Sequence, residues 1–547
     1  MTIPSILEKI KNNESLNNLS TKKFLFIVAF ILIFLRILSY AWCSDDAYHA
    51  YIMSSNLLAG KGFTPILGIR VNVSTCPLWT LVVTFGMLLW NNPYAIGMIF
   101  NLLFSGIALL MLFKLIYKKD DWFVILLTTT AVLCTSKTYL SYTTSGLENA
   151  QILMLSSFYL TVLFKNEYFS KKELFKIALL EGLIAFTRMD CALIFAFASA
   201  YVFLFRYKKD EKDSGKFSLN KLFQVIPIAI LGLLPFILWE MFSWFYYGSF
   251  VPNTALAKLN TGFPLSDYLI RGVWYAVKSE TWDVFILFIP FCFVLYVGKE
   301  FLQNFKIEKF FLTASGVLIY FFYIIYIGGD FMRGRHFLSI FWIALFSFVR
   351  LEVDLGKFFA KILMSALVMS VVIAVLFIKV ETREYFTDLL SSSPCWFADE
   401  HAVYYEHTGL INVLHDYLKR GEITIIRRSP NKGIQWFYGN KQYLSYKNTE
   451  DSSYEYRLYD PLLSRLPAIH EKNWRVGHMD RKIPAGYQKT LDTGINYIED
   501  KNLAFYYDKL KFILSGDLFE LERLKETVKF NAGVYNNYLL QYIKDNK

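Results

Sequence analysis

Apolar runs long enough to cross or nearly cross a bilayer recur along the first 380 residues. They lie at about 24–42, 94–116, 122–135, 149–164, 175–187, 191–205, 223–245, 284–298, 310–327, 337–349 and 362–378. Several fall short of the roughly 20 residues that a span needs, so their ends extend into flanking residues. The first run follows a polar stretch with Lys9, Lys11, Lys22 and Lys23. It is too long for a signal-peptide core and is followed by no small-residue cleavage site, which predicts an uncleaved span with residues 1–23 in the cytoplasm. One further run, 77–90 (PLWTLVVTFGMLLW), is ambiguous by hydropathy alone.

Loop charge resolves it. With 77–90 left out, the connections on one side carry Lys118 and Lys119, Lys165, Lys171, Lys172 and Lys176, then Arg206, Lys208, Lys209, Lys212, Lys216 and Lys221. Lys299, Lys306, Lys309, Arg350, Lys357 and Lys361 fall on that side too. This is the excess of Lys and Arg expected of cytoplasmic loops. Counting 77–90 as a span would place every later basic loop outside. The run therefore reads as an amphipathic segment along the outer surface, within a first outer loop at 43–93. The fold class predicted is a polytopic α-helical membrane protein with about eleven spans over 24–379.

Composition agrees with that class. Hydrophobic residues make up 55% and charged residues 19%, with 51 Phe and 36 Tyr. Soluble domains average about 25% charged residues. The mean hydropathy is +0.34. A net charge of +11 could suggest nucleic acid, but most of it sits in the inner loops, so it reports topology and nucleic acid is set aside. The six cysteines are scattered and form no C-x-x-C pair. The seven histidines form no H-x-x-x-H or H-E-x-x-H pair, so no zinc site is indicated.

Beyond 380 the chain turns polar and rich in Tyr, Lys, Asp and Asn. Its roughly 165 residues suffice for one self-supporting domain. Short β-like runs at 423–428 and 434–438 precede an amphipathic helical tail at 515–543, predicting a mixed α/β domain over 380–547. After an odd number of spans this domain is extracytoplasmic.

The same topology gathers the polar motifs on the outer side. Ser44-Asp45-Asp46-Ala47-Tyr48 follows the first span, and Ser145-Gly146-Leu147-Glu148 closes the second outer loop. Thr187-Arg188-Met189-Asp190 forms the third. Val251-Pro252-Asn253-Thr254, with Lys258 just after, opens a long fourth, and Gly328 to His336 (GGDFMRGRH) makes the fifth. Each alone has an ordinary reading: an Asp-Asp pair after a span is usually a solvated helix end, and Gly-Gly-Asp is usually a turn. Arg36, Glu181 and Glu240 fall in or near spans, where charge is expensive, although Arg36 and Glu240 can snorkel to the interface. Together the five loops could line a cavity open to water and lipid. Such a cavity suits transfer from a lipid-phosphate donor. Paired carboxylates can act as base and orienter or share a divalent cation, and Arg or Lys can hold a phosphate.

The ordered set resembles a family. Asp45 to Tyr48, Asn56-Leu57-Leu58-Ala59-Gly60-Lys61-Gly62-Phe63 and Ser74-Thr75-Cys76-Pro77-Leu78-Trp79 look like the first outer loop of GT-C membrane glycosyltransferases. The terminal arabinofuranosyltransferase branch is the most similar. The likeness continues through Glu148, Arg188 to Asp190, Tyr247 to Lys258 and Gly328 to Arg335. It reaches Asp460-Pro461-Leu462-Leu463-Ser464-Arg465-Leu466 and Trp474-Arg475-Val476-Gly477-His478 through Tyr487. Met189, Cys191 and Arg333 depart from the branch pattern, which leaves the donor sugar open.

This resemblance implies a GT-C fold and a polyprenyl-phosphate sugar donor, a pentofuranose such as arabinofuranose being one candidate. It implies a cell-envelope glycan or glycolipid acceptor at the outer face of the cytoplasmic membrane. Asp45 takes the role of base, with Asp46 supporting it or sharing a metal ion. Arg188, Lys258, Arg333 and Arg335 become the candidates for the donor phosphate. Tyr48, Trp79, Glu148, Asp190, Asn253, Asp330 and His478 become candidates for substrate contact. The rival class is a multi-span transporter or flippase of lipid-linked glycans, which tends to place its ionisable residues at mid-membrane; here most gather at one face.

The sidedness is testable. A cysteine placed in 299–309 should react only with membrane-permeant thiol reagents, and one in 430–440 with impermeant reagents. Labelling of 430–440 only after permeabilisation would overturn it.

Overall fold

The computed structural model describes residues 18–66, 68–208, 218–303, 308–351, 397–420, 460–470, 474, 476–477 and 479–546. The expected span at 362–378, the β-like runs 423–428 and 434–438, and His478 lie outside these residues.

Every apolar run up to 349 is helical. The first half contains α1 (Leu19–Tyr40), α2 (Ala47–Leu58), α3 (Pro77–Met87), α4 (Pro93–Ile116), α5 (Trp122–Thr135), α6 (Lys137–Tyr142), α7 (Asn149–Leu163), α8 (Lys171–Thr187) and α9 (Leu193–Phe205). There follow α10 (Leu219–Tyr247), α11 (Asn253–Leu259), α12 (Leu265–Trp282), α13 (Phe285–Gln303), α14 (Glu308–Tyr326) and α15 (Phe337–Arg350). Among the described residues five helices, α1, α4, α10, α13 and α14, are long and apolar enough to cross a membrane. The protein is thus a helical protein of membrane character.

Local chemistry sets the helix ends. Asn18 caps α1 by accepting from Ser20 N, Ser170 and Glu173 form a reciprocal capping box on α8, and Gly248 ends α10 at φ 72°. The helices then sort by face. α1 exposes Phe24, Ile27, Ile31, Leu32 and Leu35, which suits a surrounding of lipid. α15 is the opposite case: Phe337 through Val349 are all buried. A helix apolar all round belongs in the middle of the bundle, and α15 packs there against α7, α13 and α14. Elsewhere, small residues allow close approach. Gly232 of α10 lies against α8 so tightly that a Cβ there would meet Ala178 Cβ at 2.4 Å.

The segment 77–90 contains the short apolar helix α3, of 11 residues. Trp79, Val83 and Met87 of α3 are buried against neighbours that include α2 and α4, while Phe85, Leu88 and Leu89 face outward. The fourth outer loop is more ordered than the sequence suggested, because most of it forms α11 and α12. Arg271 of α12 is fully buried, donates to Gly328 O at 2.9 Å and lies over the Phe397 and Trp474 rings.

The described residues of the C-terminal region are helical: α16 (Glu400–Thr408), α17 (Leu410–Arg420), α18 (Tyr487–Thr493), α19 (Lys501–Ser515), α20 (Leu521–Asn531) and α21 (Asn536–Asp545). The expected continuous tail at 515–543 is broken between α20 and α21, where Gly533 takes φ 78°. The unit docks on the end of α10. Arg523, fully buried, donates to Phe245 O at 2.8 Å and Tyr246 O at 3.1 Å, and Asn531 donates to Gly248 O at 2.9 Å.

Gly232→Val should force α8 and α10 apart. The expected loss is about 1–3 kcal/mol, typical of overpacking, read as a lower unfolding temperature of the detergent-purified protein. An unchanged midpoint would show that this contact is not tight.

Candidate functional site

Four of the five polar loops meet where α15 begins. Their convergence depends on close backbone approach. Ser44 N donates to Ser145 O at 2.9 Å, and Gly146, at φ 75°, lies where a Cβ would meet Tyr51 Oη at 2.7 Å and Ala47 Cβ at 2.9 Å. Only glycine fits that turn without strain. Trp79, fully buried, donates from its indole to Gly146 O at 2.9 Å and supports the turn from behind.

Around this turn two arginines and four carboxylates interlock. Arg335 Nη1 lies 3.0 Å from Asp46 Oδ2 and 3.7 Å from Asp330 Oδ2, and its Nη2 lies 3.3 Å from Glu148 Oε1. Arg188 Nη1 reaches the same Glu148 oxygen at 3.1 Å. Its Nε and Nη2 form a bidentate pair with Asp190 at 2.9 and 2.5 Å. Tyr320 donates to Asp190 Oδ2 at 3.2 Å. Glu148 Oε2 is buried and has no hydrogen-bond partner among the described residues.

His336, just before α15, joins the two halves. Arg188 Nη2 donates to its Nδ1 at 2.8 Å, while its Nε2 lies 3.3 Å from Asp330 Oδ2. A guanidinium can only donate, so Nδ1 accepts and the proton sits on Nε2, facing Asp330. The ring is therefore neutral in this arrangement.

The electrostatics follow the contacts. Burial alone would raise the carboxyls. Arg188 nonetheless holds Asp190 down at about 2. Arg335 and then Arg188 hold Glu148 below its usual range. Burial likewise opposes the charge on Asp46 and Asp330, yet both stay low, Asp46 through His49 and Arg335, Asp330 through His336 and Arg335. Burial, then Arg188, pushes His336 below its ordinary value.

Asp45 and Asp46 are both half-buried but part company. Asp46 is committed to Arg335. Asp45 Oδ2 accepts from the Tyr404 hydroxyl at 2.8 Å, and its Oδ1 accepts from Asp46 N at 2.8 Å. Tyr404 stands in α16, which lies across the mouth of the first loop. Glu400, also in α16 and buried, accepts from Ser44 Oγ at 3.3 Å, and Thr408 donates to Cys43 O at 2.8 Å. Ala398, just before this helix, donates to Phe331 O at 2.8 Å and accepts from Arg333 N at 3.2 Å. None of Tyr404, Glu400 or His336 was among the sequence candidates, and neither was Arg271. Tyr404, Glu400 and Arg271 carry no motif of their own, and hundreds of residues separate Tyr404 from Asp45, whereas His336 ends the GGDFMRGRH loop.

Other expected residues are placed as follows. Lys258 lies within electrostatic reach of Asp46 and Asp330, yet its ammonium forms no ion pair among the described residues. Arg333 is buried in the fifth loop, beside the network. Tyr48 is buried in the first turn of α2, its ring edge-on to Tyr51. Asn253 sits apart: it accepts from Ser464 Oγ at 2.8 Å and donates to Asp460 O at 3.3 Å, joining the fourth loop to the Asp460-Pro461-Leu462-Leu463-Ser464 motif. Among the described residues no three His, Cys, Asp or Glu side chains converge as a metal site.

The sign of the pH response follows. An unfolded chain protonates its histidines near 6.5, while folded His336 protonates only at lower pH. Stability is therefore complete above the unfolded value and falls as pH drops through it toward the folded one. The carboxylates add a second loss below about pH 4. His336→Asn should flatten the fall in unfolding temperature between about pH 7.5 and 5.5, leaving the part due to His401, whose value burial also lowers. A slope identical to wild type would remove His336 from the first step.

No protein-family model, curated protein or solved structure matches this chain, so the likeness to the GT-C glycosyltransferases stands on the ordered motifs alone.

Proposed function

We propose that the protein is a glycosyltransferase of GT-C type. It moves a sugar from a polyprenyl-phosphate donor to a hydroxyl of a cell-envelope glycan or glycolipid, at the outer face of the cytoplasmic membrane. A pentofuranose such as arabinofuranose is the sugar that the motif resemblance favours. The observation that carries this reading is the division of labour at the site. The two arginines are occupied by carboxylates, whereas Lys258 forms no ion pair among the described residues and stands within reach of Asp46 and Asp330. An ammonium in that position suits a phosphate.

Asp45 is then the base. Asp46, held by Arg335 and low in basicity, orients the loop and Arg335. In the transfer, the bond between the sugar anomeric carbon and the donor phosphate oxygen breaks and a bond to the acceptor oxygen forms. The acceptor proton passes to Asp45, and the polyprenyl phosphate leaves with its charge met by Lys258. Glu148 Oε2, buried and lacking a hydrogen-bond partner among the described residues, is left to accept from a sugar hydroxyl.

The test incubates purified protein with several polyprenyl-phosphate sugars and follows release of polyprenyl phosphate. Asp45→Asn should lower the rate about 10² to 10⁴-fold while donor binding persists. Lys258→Met should weaken donor binding by roughly 1.5–3 kcal/mol, the worth of a charge-assisted bond. Full activity in both variants would overturn the assignment. Movement of lipid-linked sugar across proteoliposomes without release would favour the transporter class.

A further inference from the structure

α17 has a two-sided surface. On a helical wheel Leu410, Ile411, Val413, Leu414, Tyr417 and Leu418 share one broad arc, and Asn412, His415, Asp416 and Lys419 share the other. Only part of the apolar arc is used inside the protein. Val413 is buried in the main core, whereas Ile411, Leu414, Tyr417 and Leu418 are exposed, Leu418 at 83%.

The position of the helix indicates what meets this stripe. Leu410 N donates to Ala41 O at 2.8 Å, directly past the end of α1. Just before it, Tyr405 donates to Ser39 O at 2.6 Å, and His401 Nε2 is 3.2 Å from Tyr40 O. Thus α17 starts where a membrane-crossing helix leaves the apolar layer. It packs on α1 itself, whose outward side chains Ile31, Leu32 and Leu35 are exposed and apolar. Both helices thus leave large apolar side chains uncovered where they pack together, Ile31, Leu32 and Leu35 on α1 and Ile411, Leu414, Tyr417 and Leu418 on α17.

We infer that α17 is an interfacial helix seated on the lipid surface at the end where α1 emerges, with Ile411, Leu414, Tyr417 and Leu418 inserted among the acyl chains. A helix with a clean apolar face and charged residues opposite binds a bilayer in this way. Because α16 and α17 are separated by Gly409 alone, the lipid contact anchors the segment that carries Tyr404 and Glu400 to the first loop.

The inference does not depend on the proposed activity. A fluorescent amino acid is introduced singly at positions 411, 414, 418, 412, 415 and 419 of the full chain, reconstituted in vesicles of phosphatidylcholine and phosphatidylglycerol. Bromines on the acyl chains should quench positions 411, 414 and 418 about fivefold more than 412, 415 and 419, with aqueous iodide giving the reverse order. Iodide quenching of all six sites would place the stripe in water. Shielding of 411, 414 and 418 from both quenchers would show that protein covers it. Either result overturns the inference, in preparations whose helical circular dichroism and thermal unfolding match the unlabelled protein.

Discussion

A carboxylate taken out of water destabilises a fold by several kcal/mol unless cations and donors replace its hydration. Glu148 is almost fully buried, and both of its cations, Arg188 and Arg335, meet it at the same oxygen. Those two arginines come from different loops: Arg335 also holds Asp46 of the first loop, while Arg188 closes on Asp190 two residues away in its own. One shared carboxylate oxygen thus ties the second, third and fifth polar loops together, and through Arg335 the first. Neutralising Glu148 would leave two guanidinium groups facing each other without a mediator, so the interlocked set stands or falls together.

Much of this was legible in the sequence because it rested on strong local signals. Hydrophobic runs located the helices through 349, the short helix within 77–90 among them. The motifs containing Asp46, Glu148, Arg188, Asp190, Asp330 and Arg335 were collected on one side by topology, and the fold brings all six together. What was hidden had no local signature. Tyr404 is an ordinary tyrosine, 359 residues from its partner Asp45. Arg271 sits in a stretch read as a loop, since α12 has a mixed composition and no run of apolar residues.

The same contrast applies to the cations. By position Arg188, Lys258, Arg333 and Arg335 were all candidates for an anionic substrate, with an ion pair to Asp190 already a rival use for Arg188. Geometry separates two of them from a third: Arg188 and Arg335 are already engaged by two or three carboxylates each, while Lys258 forms no ion pair among the described residues. The carboxylates divide by the same logic, with Asp46 held by an arginine and Asp45 by a phenol.

The length of α15 has a consequence for depth. Its 14 residues rise about 1.5 Å each, giving an axis of about 21 Å. The hydrocarbon layer is about 30 Å thick. A buried helix that falls short by a third cannot carry its first residue from one headgroup plane to the other. Were its far end to sit at one headgroup plane, His336 and the ionic cluster beside it would lie beneath the opposite plane. Water would then have to follow the charges down, or the bilayer to thin around them. A reactant tethered in the membrane would meet the cluster by moving sideways within its own leaflet, whereas one arriving from solution would have to descend a wet shaft.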